Sequence, residues 1–379
     1  GVLLKIPLYR AFRRWGTPRL LPLNVTVSVT YRCNSRCRTC NVWRKQADEL
    51  TAEEWDQVFA SLGWTPYWFT ISGGEPLLRR EVVEICRSAY KRCQPAIINI
   101  PTNGLLPDLI TERVEVIARS CPQSQIIVNV SLDGWGEQHD AIRNVPGNFQ
   151  RTMETYRRLR ALALPNLTVG IHTVISRFNV ADIPQIYRQI STLAPDSYIT
   201  EIAEERVELD TVGAGITPGS EEYAAAVDFL VTQLRAQPFK GISRVTQAFR
   251  EQYYGLVKRI LAEQRQVIPC YAGWASAQIS PEGDVWVCCI KAESLGNLRD
   301  VDYNFGRIWF SPEAEAARAS IAKGECFCPL ANAAYTNMLC HYPSLIRAGW
   351  RAFVRQPIGF STKAGPGRQS DPSMESLPS

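Results

Sequence analysis

The chain has 379 residues, of which 45% are hydrophobic and 21% are charged, and its formal net charge is +5. This length and composition predict a globular protein with a main domain and a smaller appended unit, and they exclude a fibrous or disordered chain. The sequence lacks a long run of Lys and Arg that would indicate a nucleic-acid partner. It also lacks an apolar stretch of the roughly 20 residues that a membrane-spanning helix needs. A signal-peptide pattern is also absent, so we expect a cytoplasmic protein in which the clustered members of its twelve cysteines serve metal binding or catalysis rather than disulfides.

Residues 1–24 form a basic amphipathic segment, in which five Lys and Arg side chains alternate with large apolar ones such as Leu4 and Trp15. A similar mixture recurs from Ile346 to Arg355. Two interpretations are open: either the segments pack on the rest of the protein with their Arg side chains reaching water, or they contact an anionic membrane surface peripherally. Membrane contact would favour a lipid or a lipid-linked glycan as substrate.

Six strand–helix units are predicted between residues 25 and 245, which indicates an α/β fold of the partial (βα)6 barrel type. A helix begins after Thr51, where Glu54 three residues later completes a capping box, and another helix begins near Asn148. In such barrels the functional groups lie in loops at the carboxyl ends of the strands. The predicted strands are Val25–Thr30, Trp68–Ile71, Ala96–Ile100, Ile126–Leu132, Thr168–Ile175 and Ser197–Glu201.

The loop after the first strand contains three cysteines, Cys33, Cys37 and Cys40. Thiolates are the usual ligands of iron–sulfur clusters, and three of them leave one iron of a four-iron cluster open to a small molecule. The spacing alone is also consistent with a zinc site or a chance grouping. The next three strands end in further polar loops, which are Ser72-Gly73-Gly74-Glu75-Pro76, Pro101-Thr102-Asn103-Gly104 and Ser131-Leu132-Asp133-Gly134, with Arg143 shortly after the last.

Together these loops resemble the radical S-adenosylmethionine (SAM) superfamily, in which CxxxCxxC, GGEP, TNG and SLDG follow successive strands in this order. The resemblance covers about residues 25–345. It implies that Cys33, Cys37 and Cys40 hold a [4Fe–4S] cluster whose open iron binds SAM. It also implies that the amino group of SAM is contacted by Gly73, Gly74 and Glu75. The residues implied around the ribose and carboxylate of SAM are Thr102, Asn103, Ser131 and Arg143.

Two details of this resemblance stay open. Members of the superfamily usually carry an aromatic residue before the third cysteine, where this chain has Thr39, so Tyr31 and Trp43 are the candidates to contact the adenine. Asp133 belongs to the SLDG motif, but an Asp at this place is equally consistent with capping a turn.

From residue 246 to 345 the strand–helix alternation stops and six further cysteines appear. A hairpin signal over Pro281–Cys288 and the close pair Cys326 and Cys328 resemble the auxiliary-cluster unit of SPASM and twitch radical SAM enzymes. This implies a second [4Fe–4S] cluster of the shorter twitch type, with a four-thiolate zinc site as the alternative. Cys340 competes as a ligand, whereas Cys289 should point away from Cys288 if both lie in a strand. The implied ligands are Cys270, Cys288, Cys326 and Cys328.

Other residues receive weaker assignments. His172 on the fifth strand is a candidate substrate contact or a core histidine, and the acidic residues after the sixth strand are candidate contacts or a solvated face. Residues 346–379 are expected to form a C-terminal extension with a disordered tail from Ala364. The acidic residues are Glu201, Glu204 and Glu205, and the cysteines expected to be core residues are Cys86, Cys93 and Cys121.

The resemblance implies an enzyme that cleaves SAM to a 5′-deoxyadenosyl radical, which abstracts a hydrogen atom from the substrate. A second cluster favours a net oxidation or a bond formation, with electrons supplied by an external donor such as flavodoxin or ferredoxin. The alternatives are a redox-neutral epimerase or rearrangement enzyme, with Cys340 or Cys289 as hydrogen donor, and a metal-stabilised binding module without SAM chemistry. No motif separates a small-molecule, lipid, glycan or peptide substrate, although a ribosomally made peptide usually requires a leader-binding module.

Overall fold

The computed structural model describes residues 2–236 and 243–353. Val354, Arg355 and the predicted tail from Ala364 lie outside the described residues. Among the described helices, none is long and apolar enough to cross a membrane.

An eight-stranded sheet forms the centre of the fold, in the order β6-β5-β4-β3-β2-β1-β7-β8. Each of the strands β1 to β6 pairs in parallel with the next one. Strand β7 pairs in parallel with β1, and β8 pairs antiparallel with β7. All six predicted strands are confirmed. The strands are β1 Asn24–Thr30, β2 Trp68–Gly73, β3 Ile97–Thr102, β4 Gln125–Ser131, β5 Leu167–Ile175, β6 Ser197–Ile202, β7 Ser276–Ile279 and β8 Val285–Trp286.

Helices follow the barrel strands and cover the apolar side of the sheet. The predicted capping box is confirmed, because the Thr51 side chain accepts from the Glu54 amide and the Glu54 side chain accepts from the Thr51 amide. The helices in the described ranges are α1 Val2–Trp15, α2 Ala52–Leu62, α3 Val82–Cys93, α4 Pro107–Ser120, α5 Glu137–Arg143, α6 Asn148–Ala161, α7 Ile183–Ser191, α8 Ser220–Ala236, α9 Ser243–Glu263, α10 Phe305–Trp309, α11 Pro312–Lys323, α12 Ala331–Cys340 and α13 Tyr342–Phe353.

The two sides of the sheet differ in polarity. In β1 the alternating residues Val25, Val27 and Val29 are fully buried, as expected for the face that packs on helices. Ser28 points to the other face, where Gln278 of β7 lies within hydrogen-bond distance. Further along the sheet, the Asn129 side-chain amide of β4 donates to the Asn99 side-chain oxygen of β3 at 2.7 Å. The barrel interior is therefore lined with small polar groups rather than filled with apolar side chains.

The C-terminal part is joined to the barrel by backbone pairing as well as by side chains. Strand β7 hydrogen-bonds to β1 over four residue pairs, so the predicted hairpin extends the barrel sheet and covers its β1 edge. Trp309 of α10 donates from its indole Nε1 to the Leu20 carbonyl at 2.9 Å. The division at residue 245 stays a prediction, because the two parts share one sheet.

Candidate functional site

The loops at the carboxyl ends of the barrel strands surround one cavity of about 960 Å³, including its open mouth. Its lining contains the three cysteines of the first motif, Cys33, Cys37 and Cys40. The loops that follow β2, β3 and β4 meet there because parallel strands end at the same rim. The other predicted SAM contacts that line the cavity are Gly73, Gly74, Glu75, Thr102, Asn103, Ser131 and Arg143.

Hydrogen-bond donors approach the sulfur atoms of the cysteine loop. The Ser35 amide donates to Cys33 Sγ at 3.4 Å, the Ser35 hydroxyl lies 3.1 Å from Cys37 Sγ, and the Val42 amide donates to Cys40 Sγ at 3.5 Å. Burial raises the pKa of Cys33 to about 11 and that of Cys40 to about 12. A metal would offset this cost, because metal coordination deprotonates a thiol that burial keeps neutral.

The three thiols line the cavity, as the ligands of a group of several iron and sulfur atoms would.

Glu75 ties the loops after β2 and β3 together. Its buried carboxylate accepts hydrogen bonds from the Leu77 amide at 3.2 Å, the Thr102 hydroxyl at 3.0 Å and the Asn103 amide at 2.7 Å. Burial raises the pKa of Glu75 to about 7, against the opposing effect of these hydrogen bonds. The carboxylate therefore fixes the position of neighbouring cavity residues in addition to lining the cavity itself.

Gly73 and Gly74 permit contact between two protein loops. A Cβ atom on either glycine would overlap a backbone carbonyl oxygen, that of Thr30 for Gly73 and that of Arg32 for Gly74. Gly73 also has a φ of +122°, which side chains rarely adopt. The sequence interpretation, close approach of a ligand, is thus incomplete: the glycines first allow the β2 loop to lie directly against the cysteine loop.

Arg143 is held between a carboxylate and a thiol. Its Nη2 lies 2.7 Å from Asp133 Oδ2 and its Nη1 donates to Cys37 Sγ at 3.5 Å. Asp133 Oδ1 accepts from the Val174 amide of β5 at 2.8 Å. The Asp133 carboxylate therefore does not cap a turn, and it is Arg143, not Asp133, that lines the cavity. Asp133 positions the guanidinium beside the cysteine loop.

The two aromatic candidates for the adenine do not line the cavity in the described part of the chain. Tyr31 is buried with the Lys45 ammonium 5.6 Å from its ring centre, and the Arg36 guanidinium stacks on Trp43 at 4.1 Å. Thr39 does line the cavity. The missing aromatic residue is therefore not replaced by either neighbour.

At the other end of the cavity lies a group of charged and polar side chains from β5, β6 and the loop after β6. His172 Nε2 and Arg206 Nη2 each lie 3.8 Å from Glu201 Oε1. Glu204 is buried, its Oε1 lacks a hydrogen-bond partner, and burial raises its pKa to about 8. Glu205 lies elsewhere, because it accepts from the Gly213 and Gly215 amides.

Arg206 was missed by the sequence analysis. Its position in a charged run, Glu204-Glu205-Arg206, was the available signal, and such a run is more often exposed. In the structure its side chain lines the cavity, and its Nε is buried without a partner.

A second pocket, of about 450 Å³ including open space, lies in the C-terminal part. Cys289 is absent from the lining of this pocket. It lies in a turn after β8, so the expected alternation of Cys288 and Cys289 within a strand does not apply. Cys289 is buried beside the charges of Arg206 and Glu208. The four cysteines that line the pocket are those implied as ligands, Cys270, Cys288, Cys326 and Cys328.

Cys340 lines neither of these two pockets. It is buried at the end of α12, where its carbonyl accepts from Arg10, so the structure does not place its thiol as a hydrogen donor to a substrate in the cavity. Cys86, Cys93 and Cys121 are buried in the core, as expected.

Two sequence families match the chain. The radical SAM superfamily matches residues 27–190, and the SPASM family, an iron–sulfur cluster-binding domain, matches residues 270–329. These matches cover the cysteine motif with the following strand ends, and the segment that contains the four C-terminal pocket cysteines.

Two curated relatives are similar to parts of the chain. An AdoMet-dependent heme synthase from Methanosarcina barkeri is 33% identical over 188 residues, which are 48% of this chain and 50% of that protein. A PqqA peptide cyclase from Xanthomonas euvesicatoria is 27% identical over 292 residues, which are 73% of this chain and 70% of that protein. The chain thus spans about half the length of the first of these relatives.

The fold is also similar to a solved structure. SuiB of Streptococcus suis, bound to S-adenosylmethionine, superimposes with a TM-score of 0.59 at 13% identity, over 79% of this chain and 68% of that chain. At this identity the similarity concerns the fold.

The residues present fit the groups that these families use: three partly buried thiols beside a polar cavity, and four more thiols around a second pocket. We conclude that residues 27–190 form a radical SAM domain and residues 270–329 a SPASM iron–sulfur cluster-binding domain, with SAM and [4Fe–4S] clusters as the cofactors.

Proposed function

We propose that this chain abstracts a hydrogen atom from a substrate bound in the barrel cavity. The observation that carries the proposal is the cavity itself, which combines the cysteine loop, the predicted SAM contacts and the polar group around Glu204. When bound, the cluster and SAM supply a 5′-deoxyadenosyl radical. The residues of the chain then bind, orient and shield the reacting groups.

In this proposal Cys33, Cys37 and Cys40 hold the first cluster. The amide and hydroxyl groups near their sulfur atoms tune it, as does the guanidinium of Arg143, because positive charge and hydrogen bonds stabilise electron density on sulfur. Asn103 donates to Asn34 at 2.7 Å and thus keeps its amide at the rim of the cavity. The proposed SAM contacts are those predicted, Gly73, Gly74, Glu75, Thr102, Asn103, Ser131 and Arg143.

We further propose a net oxidation or bond formation, with the second cluster held by Cys270, Cys288, Cys326 and Cys328, and with an external electron donor such as flavodoxin or ferredoxin. The position of Cys340 supports this choice. A redox-neutral reaction needs a hydrogen donor at the substrate, and Cys340 is in the core at the end of α12.

The substrate that we propose is a peptide. The name of the PqqA peptide cyclase supports this class, whereas the name of the heme synthase supports a tetrapyrrole. The polar groups at the substrate end support the peptide, since the buried Glu204 Oε1 lacks a hydrogen-bond partner among the described residues and can pair with a peptide amide.

The first test is SAM cleavage by the anaerobically reconstituted protein with a strong reductant. We expect formation of 5′-deoxyadenosine, and its loss in Cys33→Ala. Cys93→Ala is the matched control, because this cysteine is buried on α3 away from the cavity lining. A reconstituted protein that holds zinc, or that holds iron and leaves SAM intact, would instead indicate a metal-stabilised binding module.

The second test concerns the substrate end of the cavity. With deuterated candidate peptides, we expect Glu204→Gln to lower deuterium transfer into 5′-deoxyadenosine at least about tenfold, since a buried polar contact is lost. Cleavage of SAM without peptide should stay unchanged. Glu205→Gln is the control, because its carboxylate binds loop amides outside the cavity lining. Equal deuterium transfer in the two variants would contradict the assigned role of Glu204.

A further inference from the structure

Helix α1 has two apolar faces, and the fold uses one of them. Ile6, Tyr9 and Phe12 lie three residues apart and are buried. On another face of the helix, Leu4 and Trp15 are 82% and 72% exposed, and Leu8 is also exposed between them. Their spacing of four and seven residues places these three side chains on one face of the helix. Large apolar side chains in a row on a solvent-facing helix indicate a contact that the isolated chain does not make.

Helix α13 repeats this arrangement. Tyr342, Ile346 and Trp350 follow one another at intervals of four residues, and all three are exposed, Trp350 by 63%. The side that carries Ala348 and Ala352 is buried. The exposed stripe therefore lies opposite the face through which α13 packs on the protein.

The two helices are neighbours. Helix α1 packs on α12, and α12 packs on α13. The Arg10 guanidinium of α1 lies 3.9 Å from the ring centre of Tyr342 and donates to the Cys340 carbonyl at 2.7 Å. We call the six exposed apolar residues of the two helices the α1–α13 surface: Leu4, Leu8, Trp15, Tyr342, Ile346 and Trp350.

The charged side chains that the two helices themselves carry have a single sign. Neither residues 1–47 nor residues 326–353 contain an Asp or a Glu. Arg14 at the end of α1, Arg19 just after it and Arg347 of α13 are all exposed. An apolar stripe with a basic border complements an anionic partner.

We propose that the α1–α13 surface docks the protein on an anionic lipid bilayer. Leucine, isoleucine and tryptophan side chains enter the boundary between headgroups and acyl chains, while the arginines bind lipid phosphates. Trp and Tyr are favoured at this depth of a membrane. A second copy of the chain fits less well, because a symmetric contact would bring the arginines of two copies together. This inference does not depend on the proposed reaction.

Vesicle flotation of the full-length, reconstituted protein tests the proposal. We expect binding to vesicles of equal parts phosphatidylglycerol and phosphatidylcholine, weaker binding to phosphatidylcholine alone, and release by salt. The double variants Leu4→Ser with Trp15→Ser, and Ile346→Ser with Trp350→Ser, should each lower the partition coefficient by about tenfold or more, since each side chain loses its transfer out of water.

Trp64→Ser is the matched control. Trp64 is 73% exposed, as Trp15 is, but it follows α2 and is not part of the surface. Failure of the wild-type protein to bind anionic vesicles, or an equal loss in Trp64→Ser, would overturn the proposal. Light scattering that shows a dimer dissociated by Ile346→Ser would also overturn it, in favour of self-association. Cleavage of SAM without vesicles should be unchanged in all variants, which separates this test from that of the proposed reaction.

Discussion

Arg143 shows how a single buried residue connects the fold to the site. Its side chain is 11% exposed, and that of its partner Asp133 is 1% exposed. Taking both charges out of water is costly, so the pair by itself is weak evidence of stability. The contribution of the pair to the site is the placement of the Arg143 guanidinium, because the Asp133 carboxylate fixes where this cation lies relative to Cys37. Removal of one partner is a different matter, since it leaves the other charge buried without compensation.

We therefore expect Asp133→Asn to lower the free energy of unfolding by about 3 kcal/mol or more, because Arg143 stays charged without a counterion. The Asn side chain can still accept from the Val174 amide, so the change isolates the charge. Urea unfolding measures the effect. Glu115→Gln is the control, since its pair with Arg119 is exposed and should contribute less than about 0.5 kcal/mol. Similar losses in the two variants would show that Arg143 finds another partner.

At the scale of elements, the first turn of α2 both caps its own helix and holds the C-terminal part. Glu54 accepts from the Thr51 amide at 2.6 Å and also from Arg299 Nε at 2.7 Å and the Tyr303 hydroxyl at 2.8 Å. The sequence predicted the capping box because its residues are adjacent. It could not predict the Arg299 contact, which joins residues 245 positions apart.

This contact leads to a prediction about pH. The hydrogen bonds from Arg299 lower the pKa of Glu54 from 4.5 to about 2, although partial burial acts in the other direction. A lowered carboxyl pKa stabilises the fold above the unfolded value of 4.5, and this stabilisation is lost as the pH falls from 4.5 towards 2. Glu54→Gln should therefore lower the free energy of unfolding by about 1–2 kcal/mol near pH 7, and the difference from wild type should shrink below pH 4.5.

Unfolding by urea at several pH values provides the measurement. Glu53→Gln, at the exposed neighbouring position of the same turn, should change stability by less than about 0.5 kcal/mol. A difference between wild type and Glu54→Gln that stays constant down to acidic pH would refute the assigned ion pair.

At the scale of the whole molecule, the sequence predicted what local pattern encodes. The six barrel strands are short apolar runs, and the polar loops follow them directly, so the meeting of Cys33, Glu75 and Ser131 at one rim followed from parallel topology. Pairings distant in sequence were not predictable. Strand β7 joins β1 across about 250 residues, and Arg206 enters the cavity through a loop without a motif.

The two groups of cysteines are also separate at this scale, because the two pockets that they line have no residue in common. If each group holds one four-iron cluster, the reconstituted protein should contain about eight irons per chain. Replacement of Cys33, Cys37 and Cys40 by Ala should leave about four irons and abolish SAM cleavage. Replacement of Cys270, Cys288, Cys326 and Cys328 should also leave about four irons, with SAM cleavage retained.

Iron analysis with electron paramagnetic resonance distinguishes the possible results, and replacement of Cys86 and Cys121 by Ala is the control, because both are buried core residues. Complete loss of iron in either variant would mean that the two sites depend on each other.

Such dependence has a specific physical route, since β7 leads into the hairpin before Cys288 and is hydrogen-bonded to β1, which leads into Cys33. Because metal binding contributes to folding free energy, loss of one cluster should lower the unfolding midpoint of the part that held it. Retention of about half the iron would show that each site holds its cluster when the cysteines of the other site are replaced.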